Sequence, residues 1–155
     1  MKIGFVCAAF MLLTPFIFAK TTANVDKNGV ILSGYDAVSY FSPNGPIKGK
    51  PEFQVRQDGV VYYFANAKNK ETFSLTPQKF EPQFGGWCAY AIADSSSKVE
   101  IDPKSFTIQD GRLLVFYNGF LSDTRDKWLN SKSITAQKYL QEADAHWVEV
   151  KIKDP

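Results

Sequence analysis

From Glu52 to Phe64 the chain alternates: Phe53 and Val55 stand between Glu52, Gln54 and Arg56, and after Asp58-Gly59 comes the β-rich run Val60 to Phe64. Alternation with period two marks a half-buried strand, and Asp-Gly supplies the two positive-φ residues of a tight turn, so the pattern predicts a β-hairpin. Asn66 then offers a side-chain acceptor to the first free backbone N–H groups of a helix from about Ala67 to Leu75, which Thr76-Pro77 stops. The pattern recurs: Gln57, Asp58, Gly59, Phe64 and Asn66 are matched in order and spacing by Gln109, Asp110, Gly111, Phe116 and Asn118. Either the unit is duplicated or two hairpins adopted the same turn chemistry independently.

Before the first hairpin, Tyr35, Val38 and Phe41 lie three apart, which predicts one or two helical turns, and the Pro- and Gly-dense stretch 42–51 reads as loop. After the second, Leu121, Thr124 and Trp128 share one face of an amphipathic helix. Tyr139, Leu140, Ala143 and Trp147 share one face of another, with Ser133 as its expected cap. The fold class expected is α+β: two β-hairpin-plus-helix units forming a small antiparallel sheet, with C-terminal helices packed on it. Residues 33–150 would form the domain, and the polar, short-chained segment from Lys20, within 20–32, a flexible lead.

Charge and composition narrow the setting. The first 19 residues carry one basic residue, Lys2, ahead of a long uncharged apolar run, as a secretory signal does. Cleavage is expected after Ala19 or after Ala23, and the competing reading is an uncleaved anchor, which would be the protein's sole membrane attachment. A periplasmic or secreted protein follows. Across 155 residues, 18 basic and 16 acidic side chains are scattered without a basic stripe, which leaves no electrostatic footprint for nucleic acid. Of the two cysteines, Cys7 lies in the signal, so the exported chain would hold a single thiol, Cys88, and the single histidine, His146. One thiol can form no intramolecular bridge, though it could join two copies as a homodimer.

The stretch Asp58-Gly59-Val60-Val61-Tyr62-Tyr63-Phe64, the helix bearing Phe73, and Pro77 with Phe80 resemble the YHS domain. The opening "GYDAVSYF" and the continuation "PQFGGWCAYA" look like the stand-alone, exported subgroup of that family. The resemblance runs from about residue 33 to residue 147. It implies a small metal-associated module, suspected of holding copper or another soft metal through cysteines. In the metal-associated members those cysteines would stand at the places occupied here by Ala65 and Asn69.

The remaining donors set the candidate chemistry. Zinc needs three or four ligands and finds one Cys and one His. Cu(I) is soft and tolerates low coordination, so Cys88 with His146, or two Cys88 side chains across a dimer, could hold it. Gly85 and Gly86 allow a sharp turn or a close approach ahead of Trp87 and Cys88. If a helix begins there, its first turn favours a thiolate. Against this, Cys packs as a small apolar group in most interiors, and a histidine bonded to a backbone carbonyl is the ordinary alternative for His146. No nucleophile elbow, phosphate loop or paired-carboxylate signature favours an enzyme. Two readings result. One is a copper-type binding module with Cys88 and His146 as metal ligands and a working surface at Gly85, Gly86, Trp87, Cys88, Tyr90 and Tyr63. The other is a small-molecule or protein interaction module with an apolar aromatic cleft, Cys88 being core.

Overall fold

The computed structural model describes residues 21–120 and 122–154. The apolar N-terminal segment, both expected cleavage arguments that rest on it, and Leu121 lie outside the described residues, except that Thr21 to Ala23 are described. The protein is α+β. Strands β1 (Lys50–Gln57) and β2 (Val60–Phe64) form the first hairpin, followed by helices α1 (Ala67–Leu75) and α2 (Pro77–Phe80) and the short helix α3 (Ala89–Ser95). Strands β3 (Asp102–Gln109) and β4 (Arg112–Phe116) form the second. The two-residue strands β5 (Asn118–Gly119) and β6 (Ser122–Asp123) lead into α4 (Thr124–Asn130) and the long α5 (Ala136–Lys153).

Both turns have the geometry that Asp-Gly favours, with φ of 49° and 83° at Asp58 and Gly59 and 52° and 74° at Asp110 and Gly111. Asn66 caps α1 by accepting from the Asn69 N–H at 2.9 Å. Each hairpin closes its own two-stranded antiparallel ladder, so the strands divide between separate ladders. The cap of α5 is Thr135, which accepts from the Lys138 N–H, and not Ser133, whose backbone N–H is instead taken up by the Ser131 hydroxyl. Two residues decide this: Ser131 and Ser133 close a local turn, and the chain becomes helical only after Thr135.

The repetition seen in the hairpins extends well beyond them. Register and irregularity coincide: Lys50↔Phe64, Gln54↔Tyr63 and Gln57↔Val60 in the first correspond to Asp102↔Phe116, Phe106↔Val115 and Gln109↔Arg112 in the second, each with a shift at the same place. Upstream, the left-handed run Leu32, Ser33, Gly34 (φ 54°, 51°, 75°) is repeated by Phe84, Gly85, Gly86 (φ 54°, 60°, 80°). The parallel bridge Val30↔Val61 is repeated by Pro82↔Leu113. Asp36 N–H bonds the Ile47 carbonyl at 2.9 Å where Cys88 N–H bonds that of Val99 at 3.0 Å. Equal backbone geometry at equal spacing over two stretches with different side chains identifies a duplicated unit. It diverges at Asn66, which caps α1, and Asn118, which lies on β5.

β4 is the wall between two cores. Its side chains alternate, Leu113 and Val115 entering the cluster of the first unit with Phe64 and Phe73, while Leu114 and Phe116 enter a second cluster with Trp128 and Tyr139. A strand buried on both faces carries no polar alternation, as Leu113 to Phe116 shows. Trp128 stacks on Tyr139 with centroids 5.3 Å apart and sends its indole N–H to Gln109 Oε1 at 2.8 Å. Burying each such aliphatic or Phe side chain contributes about 1.5–3 kcal/mol.

The segment after residue 20 is not a flexible lead. Asn24 N–H donates to the Gly85 carbonyl at 2.8 Å, Trp87 Nε1–H donates to the Thr22 carbonyl at 2.7 Å, and Val25 bridges Ile31. Polar composition predicted solvation, but these backbone groups find fixed partners at the second left-handed turn. Among the described residues, no helix is long and apolar enough to cross a membrane.

Candidate functional site

In the first unit the buried acceptor is Asp36, wholly inaccessible. Its Oδ1 accepts from Val38 N–H at 2.9 Å and Ser39 N–H at 3.2 Å, and its Oδ2 from Ala65 N–H at 2.8 Å and the Asn69 side-chain amide at 2.7 Å. Ala65 and Asn69 are the positions at which the YHS resemblance implies metal-binding cysteines. Here both converge on one carboxylate oxygen, and the donors present do not fit a metal.

Cys88 stands in the second unit where Asp36 stands in the first, and it too is wholly inaccessible. Its Sγ accepts from Tyr117 N–H at 3.3 Å, the counterpart of the Ala65 N–H, and lies 3.4 Å from Thr124 Oγ1. The Thr124 hydroxyl itself donates to the Tyr117 carbonyl at 2.7 Å. The thiol therefore pins the end of β4 to α3 and α4. It occupies the residue before α3, one position ahead of the first turn that the sequence suggested.

His146 on α5 donates from Nδ1 to the Ile92 carbonyl at 3.0 Å, and no hydrogen bond joins it to Cys88. Among the described residues, no group of three or more His, Cys, Asp or Glu side chains is gathered. The expected surface is likewise dispersed. Tyr63 is half-buried beside Gly34 and Gly49, whose missing Cβ atoms leave it room. Trp87 faces the N-terminal segment, and Lys98 Nζ lies 5.9 Å from its ring. Tyr90 lines a separate hollow of about 340 Å³ with Tyr139 and Lys127. Burial first, then the nearby Asp94 charge, raises the Tyr90 phenol pKa. Gly86 is buried, a Cβ there meeting Ile31 at 3.2 Å. Of the six residues, Gly85 alone lines another, wider groove.

That groove, about 520 Å³, opens where the N-terminal segment, the first hairpin, the stretch 81–85, β4 and α5 meet. Its aromatic lining is Tyr62, Phe84 and Trp147. Phe84 holds a left-handed conformation that costs a non-glycine residue on the order of 1 kcal/mol, and its packing holds it there. The Phe84 ring is buried, edge-on to Trp147 at 6.2 Å, with the Arg112 guanidinium 5.8 Å from its centroid. Gly85 is required by both its φ of 60° and the close approach of the neighbours: a Cβ would meet Ala23 Cα at 3.1 Å and Trp147 at 3.2 Å.

The polar lining is uneven. Arg112 forms a fork on Asp144, at 2.9 and 2.5 Å, and bonds Gln83 Oε1 at 3.0 Å. The bonds to Asp144 raise the guanidinium pKa further. The Glu81 carboxyl and Tyr62 hydroxyl form no hydrogen bond or ion pair among the described residues. Burial, followed by the Asp58 charge, raises the Glu81 pKa; burial, followed by Glu81 and Asp58, raises that of Tyr62. Sequence reading missed Glu81, Arg112 and Asp144, since they come from three separated segments. The one available signal was Arg112 breaking the apolar run of its hairpin where Val60 stands in the first. No family model matches this chain, and no curated protein or solved structure matches it.

Proposed function

We propose that this chain is an exported, YHS-like binding module that takes a small ligand in the groove floored by Tyr62, Phe84 and Trp147, without covalent chemistry. The observation that carries the reading is that groove itself: of ligand-sized volume, lined by rings and by a few polar groups, two of which are unpartnered. Phe84 and Gly85 supply its wall, Phe84 in a left-handed conformation that its packing sustains and Gly85 in one that glycine adopts freely. The seclusion of Cys88 supports this reading over the copper-type one, in which a thiol must reach the ion; binding through Cys88 would require the second core to open. The YHS resemblance supports the module character and the export.

The test is a titration of a panel of neutral, cationic and anionic phenyl compounds by calorimetry, repeated on Trp147→Ala and Trp147→Phe variants checked for folding by circular dichroism. Binding weakened in Trp147→Ala and kept in Trp147→Phe is the expected result. A panel in which nothing binds, or in which binding ignores Trp147, overturns the reading.

A further inference from the structure

Glu81 is the residue of the groove that the fold does not use. It stands between α2 and the left-handed turn, half-buried, with no cation against it among the described residues, and Asp58 is close enough to act on it. A carboxylate in such a place is usually tied to Arg, Lys or a backbone N–H. Beside it the Tyr62 hydroxyl is also unpartnered, on a residue only 5 % exposed that lines the same groove. Among the described residues no buried side-chain polar atom lacks a partner, so this hydroxyl faces the open space of the groove, where a ligand atom can replace solvent. Among the described residues the groove's ion pair is Arg112 with Asp144, internally closed, and Lys151 stands exposed at the rim on the last turns of α5.

We propose that the groove takes a small organic ammonium on an aromatic or apolar body, the ammonium between Glu81, Asp58 and the Tyr62 hydroxyl oxygen, the body against Phe84 and Trp147. The inference rests on the groove being the ligand site and adds the ligand's charge. The chemistry is complementary throughout. An ammonium has three donors and no acceptor, and the unpartnered groups here offer oxygen acceptors. It relieves the like-charge pair Glu81 and Asp58, and aromatic faces attract a cation where a neutral wall would only desolvate it. A carboxylate ligand would meet Glu81 and Asp58 with the wrong sign.

The experiment compares 2-phenylethylamine, 3-phenyl-1-propanol and 3-phenylpropionate by calorimetry at neutral pH on the wild-type protein, on Glu81→Gln and on the exposed control Glu71→Gln. The amine should bind more tightly than the alcohol, and the propionate weakest. Glu81→Gln should weaken the amine by about tenfold, the loss of one charge-assisted contact, and leave the alcohol unchanged. Glu71→Gln should change neither. For the wild type, amine affinity should also fall with pH as Glu81 protonates. Tyr62 stays protonated, and Asp58, Arg112, Asp144 and Lys151 are the other charged groups of the groove. Tighter binding of the alcohol or propionate, or an amine indifferent to Glu81→Gln in a folded variant, overturns the proposal while leaving the groove as a ligand site. If no probe binds, both fall together.

Discussion

Cys88 occupies in the second repeat the position that Asp36 occupies in the first, and each accepts the backbone N–H of the residue that follows its own hairpin, Tyr117 and Ala65 respectively. The solitary thiol is thus the second copy's version of a buried acceptor. The two copies differ in how many donors depend on it, and this sets the first prediction.

Removing Asp36 should cost more than removing Cys88. Asp36→Ala strands the Val38 and Ala65 N–H groups and the Asn69 amide, while Ser39 N–H keeps the Asp36 main-chain carbonyl, and Asp36→Asn sets an amide NH2 against the two donors that one carboxylate oxygen had accepted. Chemical denaturation should report a loss of about 2–4 kcal/mol for either substitution. Cys88→Ala, which strands only the Tyr117 N–H and leaves a small void, should lose about 1–2 kcal/mol.

Native Cys88 should be nearly inert to alkylating and disulfide reagents and titrate fully once the protein is unfolded, since its side chain is wholly inaccessible. Fast labelling of the folded protein would show that the second core opens readily, and would return the thiol to consideration as a soft-metal donor.

Glu81 should confer a pH dependence. Burial and Asp58 raise its folded pKa above that of the unfolded chain, so the folded form binds this proton more tightly. The associated stabilisation is fully present below the ordinary carboxylate pKa and is lost as pH rises through the raised folded value. Glu81→Gln removes that titration. Its melting temperature should exceed that of the wild type at about pH 7, the difference closing at about pH 3, where both side chains are neutral.

A chain beginning at Asn24 should be less stable than one beginning at Lys20. The shorter form lacks the Thr22 carbonyl that accepts the Trp87 indole N–H, and it lacks Ala23 against Gly85. Thermal melts should separate the two by about 1–2 kcal/mol, the worth of one buried hydrogen bond and a small apolar contact.

Much of the fold was legible locally. Asp58-Gly59 and Asp110-Gly111 encode their turns in the residues themselves, because few other pairs tolerate two successive positive φ angles. Asn66 caps α1 with an acceptor only three residues from its donor. Tyr139, Leu140 and Ala143 face inward because helical spacing leaves them no other side. The site was much less legible. Phe84 gives no sign of a left-handed backbone, being a residue that avoids it, and the equivalence of Cys88 to Asp36 is hidden because carboxylate and thiol share little beyond accepting a hydrogen bond. By type Ser133 is the better cap of the two, and only the Ser131 turn handed the role to Thr135.

The sequence by itself determined the α+β class, both hairpins and their helices, and the poverty of metal donors, since these depend on residues near one another or on counting side chains. Only the tertiary structure decided that Cys88 is an interior acceptor, that His146 serves the Ile92 carbonyl, and that Glu81, Tyr62, Phe84 and Trp147 enclose one groove. Those outcomes depend on which distant segments meet. The free energy of such meetings comes from burial summed over two cores, a quantity that no short window of residues contains.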